Sequence, residues 1–162
     1  PVATRDRLET GKVYTASGSW YGNDTIWRMV YDLNRLIRFA PATGSTLSST
    51  PQRSYLAVLD GLTAGEGNGP LQPLPVDAGV VMVGEDPFLM DTAMAWMMGL
   101  DPQKIACLAK REMFNDLDWA RFDAATVPVE LDGQTVRGLA ALPTAHTFLP
   151  PPGWKNHIER DG

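Results

Sequence analysis

Tyr55-Leu56-Ala57-Val58-Leu59-Asp60-Gly61 is a nearly continuous apolar run that stops at an aspartate and a glycine. It is too short for an ordinary helix, so it reads as a strand covered on both faces within a layered sheet. Ala78-Gly79-Val80-Val81-Met82-Val83-Gly84 repeats the pattern as a second buried strand. A helix follows at once: Asp86 is an N-cap, Pro87 takes the first helical position, and Phe88 to Met98 are almost all apolar until Gly99. Asp101-Pro102 repeats the start signal and predicts a further helix to about Met113. Upstream, Asn23 or Asp24 caps a helix running to about Phe39. Its apolar face holds Ile26, Val30, Leu33 and Ile37, joined by Trp27, Met29 and Leu36, opposite a polar stripe of Arg28, Asp32 and Arg35. That face is expected to pack on the sheet. Lys12 to Ser19 reads as a short strand or loop, and Pro41 to Gln52 as a surface loop. Downstream, Val127 to Leu131, Asp132-Gly133 and Gln134 to Gly138 read as a β-hairpin with a tight primed turn. The prolines from Pro150 onward extend the tail from His146 to Trp154 across the surface. The expectation is an α/β fold: a three-layer-like domain with a mixed sheet, helices packed on it and a C-terminal β-hairpin, with residues 1–162 forming one domain.

The composition bounds the function. A hydrophobic fraction of 44% with 20% charged residues is that of a folded globular chain. The net charge of −5 lacks the positive field that phosphate-backbone binders use, which argues against nucleic acid as a partner. Cys107 is the only cysteine, so the chain closes no internal disulfide and cannot by itself hold an iron–sulfur cluster; a reducing, cytoplasmic setting is expected. The richest apolar stretch, Pro87 to Leu100, carries Asp91 and falls short of the roughly 20 residues of a membrane span, so no membrane role is expected. Pro1-Val2-Ala3 at the start, without an initiator Met, fits a processed form or a piece of a longer polypeptide.

The sharpest chemical feature is the strand-end Asp60 followed by Gly65-Glu66-Gly67-Asn68-Gly69-Pro70. Glycines at that density let backbone N–H groups converge and let a ligand approach the main chain, which makes Gly65, Gly67, Asn68 and Gly69 candidate binding residues. No Gly-Lys-Ser/Thr follows and no helix opens from the loop, so it is neither a Walker A loop nor a dinucleotide fingerprint. Asp60 and Glu66 would repel a bare phosphate and suit an amine, a sugar hydroxyl or a hard divalent cation such as Mg²⁺. The bland alternative is a glycine-rich connection with solvated charges. Asp91 lies among apolar neighbours early in its helix and must find a partner. Either a backbone N–H, an arginine or Thr92 serves, or Asp91 joins Asp60 and Glu66 at the C-terminal ends of two neighbouring strands, where open α/β sheets bind ligands. In that second case the three acids are the candidate catalytic and metal-binding set, with Asp86 beside them or simply acting as a cap. His146 and His157 lack companions at ligand spacing, and no Gly-x-Ser-x-Gly elbow occurs. Met90, Met94, Met97 and Met98 with Trp96 read as core filling, and Cys107 as buried and inert.

The ordered set Gly22-Asn23-Asp24-Thr25-Ile26-Trp27-Arg28, Asp32-Leu33-Asn34-Arg35, Asp60-Gly61, Gly65 to Pro70, Gly84-Glu85-Asp86-Pro87 with Asp91, and Met98-Gly99-Leu100-Asp101-Pro102 resembles the family called domain of unknown function 362. Phe148, Pro152-Gly153-Trp154 also look like that family's tail. The resemblance implies that this chain matches the C-terminal half of a longer architecture, some of whose members are joined to a ferredoxin-type module. It leaves two functional expectations. One is an enzyme domain that binds a small polar ligand, through Mg²⁺ or a similar hard cation, with Asp60, Glu66, Asn68 and Asp91. The other is a non-catalytic accessory or electron-transfer module that docks onto an iron–sulfur partner. In either case an N-terminal half or a second copy of the chain is expected to cover the open sheet edges.

Overall fold

The computed structural model describes residues 19–44, 46–114, 117, 119 and 121–161. The segment 12–18 read as strand or loop lies outside them. The elements are helix α1 (Ile26–Phe39), strands β1 (Ala57–Asn68) and β2 (Gln72–Gly84), helix α2 (Pro87–Met97), a 3-10 turn at Pro102–Lys104, the one-turn helix α3 (Ala106–Ala109), and strands β3 (Pro128–Leu131) and β4 (Gln134–Arg137).

The class is α/β with a C-terminal hairpin. Among the described residues its sheets are two separate antiparallel pairs, β1–β2 and β3–β4, rather than one mixed sheet. The two apolar runs at 57–60 and 78–84 are the outer arms of one long hairpin, with Ala57 opposite Gly84 and Asn68 opposite Gln72. The glycine-rich segment is therefore strand, not loop, as far as Asn68. Glycine is needed at Gly65 for a packing reason: a Cβ there would meet the Pro73 Cβ on the facing strand at 2.7 Å. Burial alternates along both arms. Leu59, Val80 and Met82 face inward, while Val58, Val81 and Val83 are exposed. The expected cover on both faces is thus half present, since α2 shields one side of the ribbon only.

Helix α2 is the hub of the fold. Asp86 caps it by accepting the Leu89 N–H at 3.0 Å. Its C-terminus closes with the Gly99 N–H on the Trp96 carbonyl and the Leu100 N–H on the Ala95 carbonyl, the paired bonds of a Schellman motif. Apolar but for Asp91 and Thr92, α2 enters three packed clusters: Phe88 in an aromatic one, Ala93 and Met97 under the two hairpins, and Ala95 against Leu100 and Ile158.

Of the face expected to pack inward, helix α1 buries only Trp27 and turns the rest of it outward. Trp27, Tyr31 and Phe39 are buried with Phe88, Leu117 and Trp119. The stripe formed by Ile26, Met29, Val30, Leu33, Leu36 and Ile37 is 37–55% exposed. Rings remove more area from water per residue than aliphatic chains and also gain edge-to-face contacts, here Phe39 on Trp119 at 4.8 Å, so the aromatic side wins the core. Arg38 is buried beside them, its guanidinium 5.9 Å from the ring centres of Tyr55 and Trp119.

The helix expected to run from Asp101 to Met113 is broken. Ile105 is extended (φ −101°, ψ 111°), which separates the 3-10 turn from α3, and a second 3-10 turn covers Arg111–Phe114. The β3–β4 hairpin forms as expected, with Asp132 at φ 49° and Gly133 at φ 79°. Among the described residues no helix is long and apolar enough to cross a membrane.

Candidate functional site

Antiparallel pairing separates the candidate acids. The C-terminal ends of β1 and β2 lie at opposite ends of the hairpin, so the carboxylates that trail each strand cannot share a pocket. Asp60 and Glu66 stand six positions apart on β1, about 20 Å in extended chain. The structure thus does not bring Asp60, Glu66 and Asp91 together. Among the described residues no three His, Cys, Asp or Glu side chains are grouped to hold a metal ion.

Each acid has its own surroundings. Asp60 is on the exposed face, and its Oδ1 accepts the Leu62 N–H at 3.2 Å beside the register shift between Gly61 and Thr63. Glu66 is tied to the tail. Its side chain is only 11% exposed, and its Oε2 accepts the Leu149 N–H at 2.9 Å and lies 3.3 Å from His146 Nε2. The neighbouring Gly67 N–H donates to the Leu149 carbonyl at 2.9 Å. Asn68 is exposed at the end of β1, and the Gly69 N–H donates to the Gly67 carbonyl in the turn. The glycine segment therefore straps the tail to the hairpin tip.

Asp91 is different. It lines a cavity of about 310 Å³ together with Asn34, Tyr55, Ala57, Val58, Leu59, Pro87 and Met90. The residue is exposed to that open space, while the packing around its carboxyl group pushes the pKa above the ordinary 3.8 through desolvation. Cys107 lies close enough for the Asp91 charge to add to burial in pushing its thiol up, which keeps it in the unreactive neutral form. Asn34 donates through Nδ2 to the Val30 carbonyl at 2.8 Å, and its amide oxygen takes no hydrogen bond among the described residues.

Three elements thus converge on one cavity: α1 through Asn34, the approach to β1 through Tyr55, and α2 through Asp91. Such a wall can take a cation or a hydrogen-bond donor against Asp91, and a donor against the Asn34 oxygen. Sequence reasoning identified Asp91 and missed Asn34 and Tyr55. The signal for Asn34 was a polar side chain among the apolar residues of its helix; Tyr55 gave none, because a tyrosine opening a strand reads as packing.

Two comparisons with known proteins bear on this geometry. A family model described as "Domain of unknown function (DUF362)" matches residues 7–96, a span that includes Asn34, Tyr55, Asp60, Glu66 and Asp91. The thylakoid-associated protein sll1697 of Synechocystis sp. is 37% identical over 57 residues, which is 35% of this chain and 18% of that protein. No solved structure matches the chain.

Proposed function

Since the chain belongs to the DUF362 family, we propose that it is a ligand-binding domain of an enzyme, whose site is the Asp91 cavity and whose ligand is small and polar, taken with a hard divalent cation such as Mg²⁺. The observation that carries this reading is the meeting of Asp91, Asn34 and Tyr55 in one cavity of about 310 Å³. Mg²⁺ keeps most of its waters and is usually bound through one or two carboxylates plus the substrate, so one protein carboxylate in an open cavity suffices. A carboxyl group with a raised pKa also suits proton transfer once a substrate is seated. Asp60 follows the cavity-lining Leu59 but stands on the exposed face with the Leu62 N–H, so the proposal rests on Asp91 alone among the acids. Glu66 and Gly67 tie the tail to the hairpin and stand apart from this cavity, as do Gly65, Asn68 and Gly69. The lone Cys107 fits a reducing, cytoplasmic setting.

The test is a thermal-shift titration with MgCl₂ and MnCl₂ of the full chain and of Asp91→Asn. Saturable stabilisation is expected, about 2.7 kcal/mol at a hundredfold excess over Kd, and it should vanish in Asp91→Asn. No response to either cation in the wild type would defeat the reading.

A second reading, an accessory module that docks onto another polypeptide such as an iron–sulfur protein, is favoured by the uncovered apolar stripe of α1. Substituting Leu33 and Ile37 by Gln would abolish such docking without touching the cation response, which separates the two readings.

A further inference from the structure

The two hairpins face one another across a shared groove. A groove of about 540 Å³ is lined along one side by the consecutive residues Ala78–Gly84 of β2 and along the other by Pro128–Asp132, which contain β3. Consecutive residues lining a groove mean that each strand presents its edge rather than one face. Among the described residues β2 pairs only with β1 and β3 only with β4, which leaves one edge of each without a partner strand there. No hydrogen bond from elsewhere among the described residues reaches the backbone of either edge. The floor is α2, through Leu89, Ala93 and Met97, and the inward side chains Val80, Met82 and Val129 pack in the same cluster on that helix.

Open edges are normally blunted by proline, charge or a bulge. Residues 78–84 carry no proline and no charge, and the register shift of the hairpin lies earlier, between Gly61 and Thr63. The seven residues of this edge span about 20 Å and the five at 128–132 about 13 Å, at 3.3 Å per step. The rim is acidic: Glu85, Asp86, Glu130 and Asp132 line the groove, and among the described residues no Lys, Arg or His does. Asp86 and Glu130 accept the Leu89 N–H and the Thr135 hydroxyl respectively, which leaves Glu85 and Asp132 with no hydrogen bond of their own among the described residues.

We propose that this groove takes an extended strand of about five residues from another polypeptide by β-augmentation, joining β1–β2 and β3–β4 into one five-stranded sheet. The occupant is apolar at the alternate positions that meet α2 and basic at those that meet the rim. Main-chain hydrogen bonds to both edges supply the affinity, and the acids supply the selection. A second copy of this chain is a poor occupant, because the net charge of −5 and the acidic rim repel it.

The probe is an acetylated, amidated hexapeptide of alternating Lys and Val, added to the full chain and followed by hydrogen exchange. Saturable binding is expected, with at least tenfold slower exchange confined to 78–84 and 129–131. Binding should weaken several-fold in Glu85→Gln/Asp132→Asn, and be lost for a peptide N-methylated at alternate amides. Unchanged binding of the methylated peptide would overturn the inference, since a merely apolar groove does not need those amides. Absence of binding, or edge protection that rises with protein concentration before any peptide is added, would overturn it as well, the latter by making a second copy the occupant. The Asp91 cavity shares only Met90 with this groove and none of its acids, so the cation titration stands or falls separately.

Discussion

Removing the Glu66 carboxylate tests whether this residue is a structural tie or a ligand group. In the structure it accepts the Leu149 N–H at 2.9 Å and contacts His146 at 3.3 Å. A hydrogen bond to a charged group contributes roughly 1.5–3 kcal/mol. Leu149 is 52% exposed, so water can take over its N–H after truncation and the cost falls toward the lower end. His146 adds no more than about 0.5 kcal/mol as a half-exposed partner. The neighbouring bond from the Gly67 N–H to the Leu149 carbonyl remains. Glu66→Ala should therefore cost about 1–2 kcal/mol, which for a chain of this size lowers Tm by about 2–8 °C. Glu66→Gln keeps an acceptor and should cost less than about half of that. Thermal unfolding followed by circular dichroism gives the stability, and hydrogen exchange at Gly67 and Leu149 locates the change. If Glu66→Ala melts with the wild type and the Leu149 amide exchanges at an unchanged rate, the strap is not a strap. Should the Mg²⁺ response also disappear in that variant, Glu66 belongs to the binding site and the assignment to Asp91 is incomplete.

Asp91→Asn should stabilise the chain at pH 7 and have no effect in acid. The raised pKa means that the folded state holds the Asp91 proton more tightly than the unfolded one; the wild type therefore gains stability as pH falls through that raised value and has it in full below about 3.8, while Asn shows no such dependence. Denaturant titrations at several pH values check this, and a constant difference across pH would refute it. Phe88→Ala should cost about 3–5 kcal/mol, because the ring stacks within 5.4 Å of Trp119 and 5.3 Å of Tyr31 in the aromatic cluster; a loss under 1 kcal/mol by urea unfolding would mean that this core is not packed as described. Gly138→Ala should be destabilising by several kcal/mol in the same assay, since φ is +78° and a Cβ would collide with the Ala125 carbonyl, a backbone atom that cannot swing away. Leu33→Gln with Ile37→Gln should change the stability of the isolated chain by no more than about 0.5 kcal/mol and reduce any self-association seen by sedimentation; a large loss of stability would show that the stripe is covered within the chain.

The local signals in the sequence carried through wherever short-range chemistry decides. Asp86-Pro87 at the start of α2, Gly99 at its end and Asp132-Gly133 in the hairpin all stand where they were expected, because a cap or a primed turn depends on the few residues that make it. Orientation was less legible. Helix α1 has two apolar faces, one aliphatic and one aromatic, and periodicity alone counts them alike; the aromatic face wins because Phe88, Leu117 and Trp119 come from distant parts of the chain to meet it. Cys107, expected to be buried, is half-buried, and burial with a neighbouring carboxylate pushes its thiol pKa up.

The candidate site failed to assemble from sequence for a topological reason. A parallel pair of strands would have delivered Asp60 and the acids after Gly84 to one end of a sheet; the apolar run, the glycine segment and the second run fit that layout as well as they fit a long hairpin. What decides between them is Gly65 to Asn68. Read as a loop, these glycines present backbone to a ligand; read as strand, they let the backbone pass close to Pro73 and let Glu66 reach the tail. The same absence of a side chain serves both uses, so composition could not choose. Once the segment pairs with Gln72 to Pro75, the hairpin is fixed, Glu66 is carried to its far end, and Asp91 is left with the neighbours that α1 and the start of β1 bring to it. The binding proposal therefore rests on Asn34 and Tyr55 as much as on any acid. Asn34 offers an amide and Tyr55 a hydroxyl, both hydrogen-bonding groups, so their part is to orient a ligand that Asp91 holds.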